Sequence, residues 1–183
     1  MAKDYPALTP HLIDFIGRQH IFFTASAAAG TRINISPRST DYFRVLGDNA
    51  ACYLDRTGSG NETAAHMKAD GRLTIMFCAM EGPPLILRLY GRGRVLARGG
   101  EDYAGLLQSQ FRDAEPLGAR QIVRIDFDLV KTSCGYGVPL MDYQGERDTM
   151  DRWAEAKGPD GIEAYWQDKN LTSMDGLPTG FGE

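Results

Sequence analysis

Three stretches in the middle of the chain alternate apolar and polar residues with a period of two, and turn residues separate them. They are residues 73–77, 85–90 and 123–129, with the Glu-Gly-Pro-Pro turn at 81–84 between the first two. A period of two is typical of half-buried β-strands. No βαβ rhythm is visible along the chain. The pattern therefore predicts a mainly β protein of six or so strands, arranged as a closed or nearly closed antiparallel barrel.

The remaining elements are short. Thr9 and Pro10 are typical of a helix start, and the apolar periodicity predicts that this helix ends at Gly17. Further predicted strands cover residues 20–26, 32–36, 43–46 and 51–54, and further helices cover 62–69, 101–111, a stretch around 150–157 ended by Gly158-Pro159, and 160–169. Residues 175–183 are expected to form a weakly held tail. The division predicted is a barrel domain, 1–134, and a helical extension, 135–183, that packs on the barrel or on a partner.

Composition excludes several classes of function. A formal net charge of −4 and a pI near 5.4 argue against a nucleic-acid binder. Residues 1–10 show no secretory signal, and no apolar run reaches the roughly 20 residues of a membrane helix. The three cysteines lack a CxxC spacing and the three histidines share no metal-ligand spacing. We expect a cytoplasmic protein without a metal site, a nucleic-acid partner or a membrane partner.

The predicted strand at residues 32–36 carries a row of polar side chains. Strand alternation puts Arg32, Asn34 and Ser36 on one face, and Ile33 and Ile35 on the other. A guanidinium beside two neutral hydrogen-bonding groups suits a planar polar ligand with an attached phosphate. The alternative is a solvent-facing row on an amphipathic strand.

A loop of glycines and hydroxyls precedes the predicted helix at 62–69. Glycines let the backbone approach a phosphate, and a helix start presents unpaired N–H groups. Ser59, Asn61 and Thr63 are candidate phosphate ligands. No Gly-Lys-Ser/Thr follows, so the loop is not a nucleotide P-loop. The alternative is a turn in which Asn61 caps the helix.

The order of these motifs resembles the pyridoxamine 5'-phosphate oxidase-related FMN-binding family. The resemblance covers roughly residues 16–132 and is carried by Arg-x-Asn-x-Ser-Pro-Arg at 32–38, Tyr-Leu-Asp at 53–55, Gly-Ser-Gly-Asn-Glu-Thr-Ala-Ala-His at 58–66 and the strands at 72–77 and 87–95. It implies a six-stranded split barrel that forms a homodimer with FMN at the interface. It further implies that Arg32 lies near the phosphate, that the strand holding Ile33, Asn34, Ile35 and Ser36 follows the flavin, that Ser59, Asn61 and Thr63 bind the phosphate, and that Leu54 and Asp55 lie beside the ring.

The chain departs from pyridoxamine phosphate oxidases proper at three places. Pro37 replaces a lysine at the end of the flavin strand, Glu62-Thr63 replace an Arg-Lys pair, and the Trp- and Arg-bearing C-terminal segment has no match after Cys134. The resemblance therefore implies an FMN-dependent oxidoreductase of unknown substrate, with no catalytic residue assigned. Two alternatives are a binding module that holds FMN, haem or a deazaflavin without turnover, and a barrel that has lost its cofactor.

Overall fold

The computed structural model describes residues 2–112 and 114–182, and their strands form one antiparallel sheet. In chain order the elements are β1 (Lys3–Tyr5), α1 (Pro10–Gly17), β2 (Ile21–Ser26), β3 (Asn34–Ser39), a short 3-10 turn (Thr40–Tyr42), β4 (Phe43–Gly47), β5 (Ala50–Arg56), α2 (Glu62–Ala69), β6 (Arg72–Cys78), β7 (Ile86–Ala97), α3 (Glu101–Phe111), β8 (Ala119–Ser133) and α4 (Thr149–Lys169). Within the described ranges the sheet thus has eight strands. The short β1, which pairs with β8, gave no signal in the sequence.

The sheet curls into a barrel that is open along one seam. Its strand order is β3-β2-β6-β7-β8-β5-β4, so β2 and β4 lie near opposite ends. Nevertheless the rings of Phe22 on β2 and Phe43 on β4 are only 5.0 Å apart, and Phe22 also contacts Tyr53 on β5. Their burial drives the two ends together, because large aromatic side chains contribute most to a core of this size. The predicted antiparallel split barrel is therefore confirmed.

The strand at one edge of the seam is β3, and its bounds differ from the predicted 32–36. It runs from Asn34 to Ser39, and Pro37 lies inside it opposite Phe23. Proline is tolerated there because β3 pairs on one side only, with β2. The residues before Asn34 leave the ladder, and Arg32 with them.

Glycines let β7 cross the barrel close to its neighbours. A β-carbon at Gly91 would lie 2.2 Å from the carbonyl oxygen of Asp126, and one at Gly93 would lie 2.4 Å from Sδ of Met67. The pairing of β7 with β8 also shifts register between Tyr90 and Gly91. The sequence-based expectation that these glycines permit bending or close backbone approach is confirmed for close approach at Gly91, whereas Gly93 makes room for the side chains of Met67 and Leu73.

The C-terminal residues pack on the barrel, and the last of them are firmly held. α4 is two helices that meet at Gly158, where φ is 66°, as the Gly-Pro pair predicts. The expectation of a weakly held tail at 175–183 is wrong for 175–182. The Phe181 ring packs on Trp166 at 5.3 Å and the buried Thr179 hydroxyl donates to the Asn170 carbonyl at 2.7 Å, while residue 183 lies outside the described residues. These contacts bury Thr179 and pack Phe181 against α4, a stabilisation that the local sequence does not reveal.

None of the described helices combines the length and apolar character needed to cross a membrane.

Candidate functional site

A cavity of about 720 Å³ opens at the seam, between β3, the end of β5 and the loop that precedes α2. This volume lies within the roughly 300–1,000 Å³ of small-molecule and cofactor sites. Its walls are mostly polar, and β8 and the segment before α4 also contribute to them. The lining residues used below are Asn34, Ser36, Arg38, Leu54, Arg56, Ser59, Asn61, Thr63, Arg120 and Arg147.

Only part of the predicted polar row faces this cavity. Asn34 and Ser36 line it, and the Asn34 amide donates to the Thr63 hydroxyl at 3.2 Å, which joins β3 to the start of α2. Arg32 lies outside the lining, 70% exposed, and its guanidinium forms an ion pair with Asp175. Ile33 and Ile35 point to solvent, 72% and 66% exposed.

The row continues at Arg38, which the sequence analysis did not single out. Arg38 follows Asn34 and Ser36 at the same period of two and lines the cavity. The alternation that was applied to residues 32–36 therefore contained the signal, but the predicted strand ended too early to use it.

The loop before α2 presents hydrogen-bond donors to the cavity. Ser59, Asn61 and Thr63 all line it. Asn61 does not cap the helix with its side chain, contrary to the alternative interpretation of this loop. Its Oδ1 instead accepts a hydrogen bond from Gln121 at 2.9 Å, and its buried Nδ2 has no acceptor among the described residues. A buried donor without a partner is costly, so the site favours a ligand that supplies an acceptor.

A second donor of the same kind comes from the end of β5. Nε of Arg56 is buried and finds no acceptor in the part of the chain that the structure describes. The other end of this guanidinium is engaged, with Asp151 at 2.6 Å and with the Leu117 carbonyl at 3.2 Å. Arg56 is thus fixed in place while one N–H remains available at the cavity wall.

A buried ionic network lies beneath the cavity. Asp55 is 1% exposed and accepts hydrogen bonds from Arg38, Arg120 and Gln121. Burial alone would raise the pKa of Asp55, but the charges of Arg38 and Arg120 outweigh it and hold the pKa below its ordinary value. Leu54 lines the cavity, whereas Asp55 belongs to this network and not to the lining.

The network ties β3, β5 and β8 to the glycine loop. Arg120 donates to the Gly60 carbonyl at 3.0 Å as well as to Asp55. Arg38 lies over the ring of the buried Tyr53 at 4.7 Å, and burial raises the pKa of Tyr53 to about 12. Arg120 gave no sequence signal, because its role depends on a pairing of β8 with β5 across more than 60 residues.

The C-terminal segment supports the same loop from outside the barrel. The Trp166 indole donates to the Thr57 hydroxyl at 2.8 Å, and the Asn170 amide donates to the Gly58 carbonyl at 3.3 Å. Asn170 also accepts a hydrogen bond from Arg120 at 2.6 Å. The loop conformation is therefore set by residues far along the chain.

Hydrogen-bond donors at the cavity favour an anion. The described lining includes four guanidinium groups, from Arg38, Arg56, Arg120 and Arg147, and two carboxylates, from Glu62 and Glu146. Asp55 pairs with Arg38 and Arg120, and Asp151 pairs with Arg56, so the cavity offers directed N–H donors and not a large net positive charge. The Glu62 carboxylate already accepts from the Met174 backbone N–H at 3.1 Å. Together with the unpaired donors of Asn61 and Arg56, these groups fit a phosphate at the loop end of the cavity. The residues present therefore fit an FMN phosphate.

Comparison with known proteins gives the same family as the sequence motifs. The family model described as pyridoxamine 5'-phosphate oxidase matches residues 8–134. The chain is 35% identical over 190 residues to the pyridoxamine 5'-phosphate oxidase family protein ustO of Aspergillus flavus, which covers 95% of this chain and 76% of that protein.

Two solved structures share the fold at low sequence identity. HupZ of Group A Streptococcus matches with a TM-score of 0.52 and 22% identity, over 67% of this chain and 91% of that one. HutZ, the haem storage protein of Vibrio cholerae, matches with a TM-score of 0.50 and 15% identity, over 67% and 92%. The family model covers more than half of this chain, and the match to ustO spans almost all of it. The chain therefore belongs to the pyridoxamine 5'-phosphate oxidase family.

Proposed function

We propose that this protein is an FMN-dependent oxidoreductase that works as a cytoplasmic homodimer. The observation that carries the proposal is the cavity at the seam, where a phosphate-suited loop lies at one end and a polar strand leads away from it. A phosphate at Ser59, Asn61 and Thr63 would meet the helix start and the unpaired amide donor. The rest of the cofactor would follow β3 past Asn34 and Ser36 toward Arg38.

The chemistry would be supplied by the flavin, which accepts and returns a hydride or single electrons when bound. The chain's own residues bind and orient it. The unpaired N–H groups of Arg56 and Asn61 would bind the phosphate, and the Asn34 and Ser36 side chains hydrogen-bond along the ring system. Asp55 holds Arg38 and Arg120 in place, so it acts on the cofactor through them.

One feature supports a homodimer. Ile33 and Ile35 are exposed together on the loop and strand that edge the cavity, and large apolar side chains side by side on a surface favour a protein contact. Arg32 lies outside the cavity of its own chain and is paired with Asp175. The contact of Arg32 with phosphate is proposed from the family resemblance alone.

The first experiment is an absorbance spectrum of freshly purified protein, recorded before and after denaturation. We expect flavin to be released at about one per chain. A haem or deazaflavin spectrum would contradict the choice of cofactor, and no uptake after incubation with FMN would contradict flavin binding altogether. Reduction of the bound flavin by NADH or NADPH, followed by reoxidation in air, separates an oxidoreductase from a module that only binds the cofactor.

The Arg32 assignment and the dimer are tested together. Arg32→Ala is expected to lower flavin content while light scattering still shows a dimer. Full flavin content in this variant would refute the phosphate contact. Ile35→Asp is expected to yield monomer that binds little flavin, whereas Leu140→Asp is the matched control, because Leu140 is equally apolar and 78% exposed elsewhere. A wild-type monomer at micromolar concentration would refute the dimer.

A further inference from the structure

A second and larger cavity lies beside the first. Its volume is about 1,070 Å³, and it opens between the end of α1, the end of β3, the turn that joins β6 to β7 and a strap formed by residues 141–147. The lining that matters here is Phe15, His20, Pro37, Met80, Leu85, Met141 and Tyr143. Most of these side chains are apolar, so the cavity favours a ligand with little polar surface.

Two aromatic rings form a flat wall in this cavity. The rings of His20 and Tyr143 stack with their centroids 3.7 Å apart and their planes inclined by only 3°. Tyr143 is 43% exposed, so one ring of the pair remains available for contact. A flat, partly exposed aromatic surface binds another planar ring by offset stacking, and it binds a saturated ring less well.

The strap that carries Tyr143 is fixed to the barrel. The Met141 backbone N–H donates to the Met80 carbonyl at 3.0 Å, and the Tyr143 N–H donates to the Glu81 carboxylate at 3.3 Å. The Tyr143 hydroxyl donates to Glu146 at 2.8 Å. These bonds hold the ring in its stacked position before any ligand arrives, which lowers the entropic cost of binding.

The charged residues that line this cavity favour neither a positively nor a negatively charged ligand. Arg18, Arg38 and Arg147 line it, and so do Glu81, Asp142 and Glu146. The guanidinium of Arg38 is already paired with Asp55, and the carboxylates of Glu81 and Glu146 accept the bonds from Tyr143. A strongly charged ligand would therefore meet groups of both signs.

The two cavities share a wall. Pro37, Arg38, Ser39, Glu146 and Arg147 line both of them. A cofactor with its phosphate at the glycine loop and its body along β3 would end at this shared wall. A compound in the second cavity would then lie at the end of the cofactor that is farthest from the phosphate.

We infer that the second cavity binds a planar aromatic compound of low charge, stacked on Tyr143 next to the cofactor cavity. Only one part of this inference rests on the proposed function, namely that the bound compound is the substrate that reacts with the flavin. The binding itself depends on the apolar lining and the stacked rings, which belong to this chain alone.

The test is calorimetric titration of the full chain, with and without FMN, by 2-naphthol and by its saturated analogue decahydro-2-naphthol. We expect 2-naphthol to bind more tightly. Tyr143→Ala should weaken 2-naphthol binding by about three- to tenfold, the usual size of one aromatic pair, and leave FMN affinity unchanged. Tyr136→Ala is the matched control, since Tyr136 is 81% exposed and lies outside the cavity lining. In FMN-loaded protein, 2-naphthol should add a long-wavelength charge-transfer band.

Each unexpected result of these titrations refutes a different part of the inference. Equal affinity for the two alcohols, or equal loss in the two tyrosine variants, overturns the inference even when FMN binds normally. Binding of 2-naphthol that disappears as light scattering shows dimer formation also overturns it, because a second copy would then fill the cavity. Binding that depends on Tyr143 in a chain that takes up no FMN supports the aromatic site and refutes the proposed function. Binding without a charge-transfer band in FMN-loaded protein overturns the substrate assignment.

Discussion

Asn61 carries a buried donor that a ligand in the cavity could satisfy. Its Oδ1 is bonded to Gln121 while its buried Nδ2 lacks an acceptor within the described chain. Asn61→Asp keeps the acceptor and the shape, but removes the donor and adds a negative charge facing the proposed phosphate. A hydrogen bond to a charged group contributes about 1.5–3 kcal/mol, so we expect the dissociation constant of FMN to rise about 10- to 100-fold.

Fluorescence titration of apoprotein with FMN measures this change. Gln108→Glu, the same amide-to-acid change at an exposed position on α3, is the control for added charge and should bind like wild type. Equal affinity of Asn61→Asp and wild type would remove Asn61 from the site.

Asp55 contributes to the stability of the fold, because its carboxylate is the counterion of Arg38 and Arg120. Asp55→Asn leaves the buried guanidinium of Arg120 without its counterion, which typically costs about 3–5 kcal/mol. We expect a lower free energy of unfolding in urea at pH 7. Asp4→Asn is the control, since it removes an exposed partner of Lys131 and should change stability by no more than about 0.5 kcal/mol.

The pH dependence of Asp55→Asn follows from the sign of the pKa shift. The folded pKa of Asp55 is lowered, so its stabilisation is complete above the unfolded value near pH 4 and is lost as the pH falls through the folded value. Wild type should therefore lose stability below about pH 4, and the variant should lose less over the same interval. If the urea midpoints of both proteins fall equally with pH in this interval, Asp55 is not the group that causes the loss of stability in acid.

At the scale of elements, the end of α4 holds the glycine loop in place, a role that the sequence of α4 does not indicate. Asn170 is fully buried and bonds both Arg120 and the Gly58 carbonyl. Asn170→Ala removes one acceptor of Arg120 and the side-chain donor to the Gly58 carbonyl, so we expect faster hydrogen exchange at residues 57–61 in the apoprotein and an FMN affinity about tenfold lower.

Gln167→Ala, one turn earlier on the exposed side of α4, should change neither measurement, because its amide bonds only Glu163. If exchange at the loop is unchanged in Asn170→Ala, α4 does not set the loop conformation.

Elements with a strong local signal were predicted well from the sequence. α1, α2 and α3 have the predicted bounds, because a proline or glycine lies within two residues of one end of each. β3 was placed two residues early, since Arg32 and Ile33 continue the alternation although the ladder begins at Asn34. The prediction of a weakly held tail was wrong, because Trp166 and Asn170 hold the tail through tertiary contacts that a local pattern does not indicate.

The candidate site was predicted only where its residues lie in sequence motifs. Asn34, Ser36 and the loop residues meet in one cavity, as the motifs indicate. Arg120 and the residues of α4 reach the site through contacts between residues 50 or more positions apart, which no local sequence pattern indicates.

At the scale of the whole molecule, barrel closure depends on close contact between β7 and β8. A β-carbon at Gly91 would collide with the backbone at Asp126, which cannot move without disturbing the pairing of β8 with β5. Gly91→Ala should therefore destabilise the fold by at least about 1–3 kcal/mol, measured by urea unfolding. Gly105→Ala within α3 has open space around it and should gain up to about 1 kcal/mol. Equal midpoints for the two variants would contradict this account of closure.

Pro37 has a consequence for the behaviour of the protein at high concentration. β3 is an edge strand that contains the exposed Ile35 and follows the exposed Ile33, a combination that in other proteins favours strand-by-strand stacking into fibrils. Proline has no backbone N–H to donate, so a strand interrupted by it is a poor template for continued pairing. Pro37 is therefore expected to limit aggregation through this open edge.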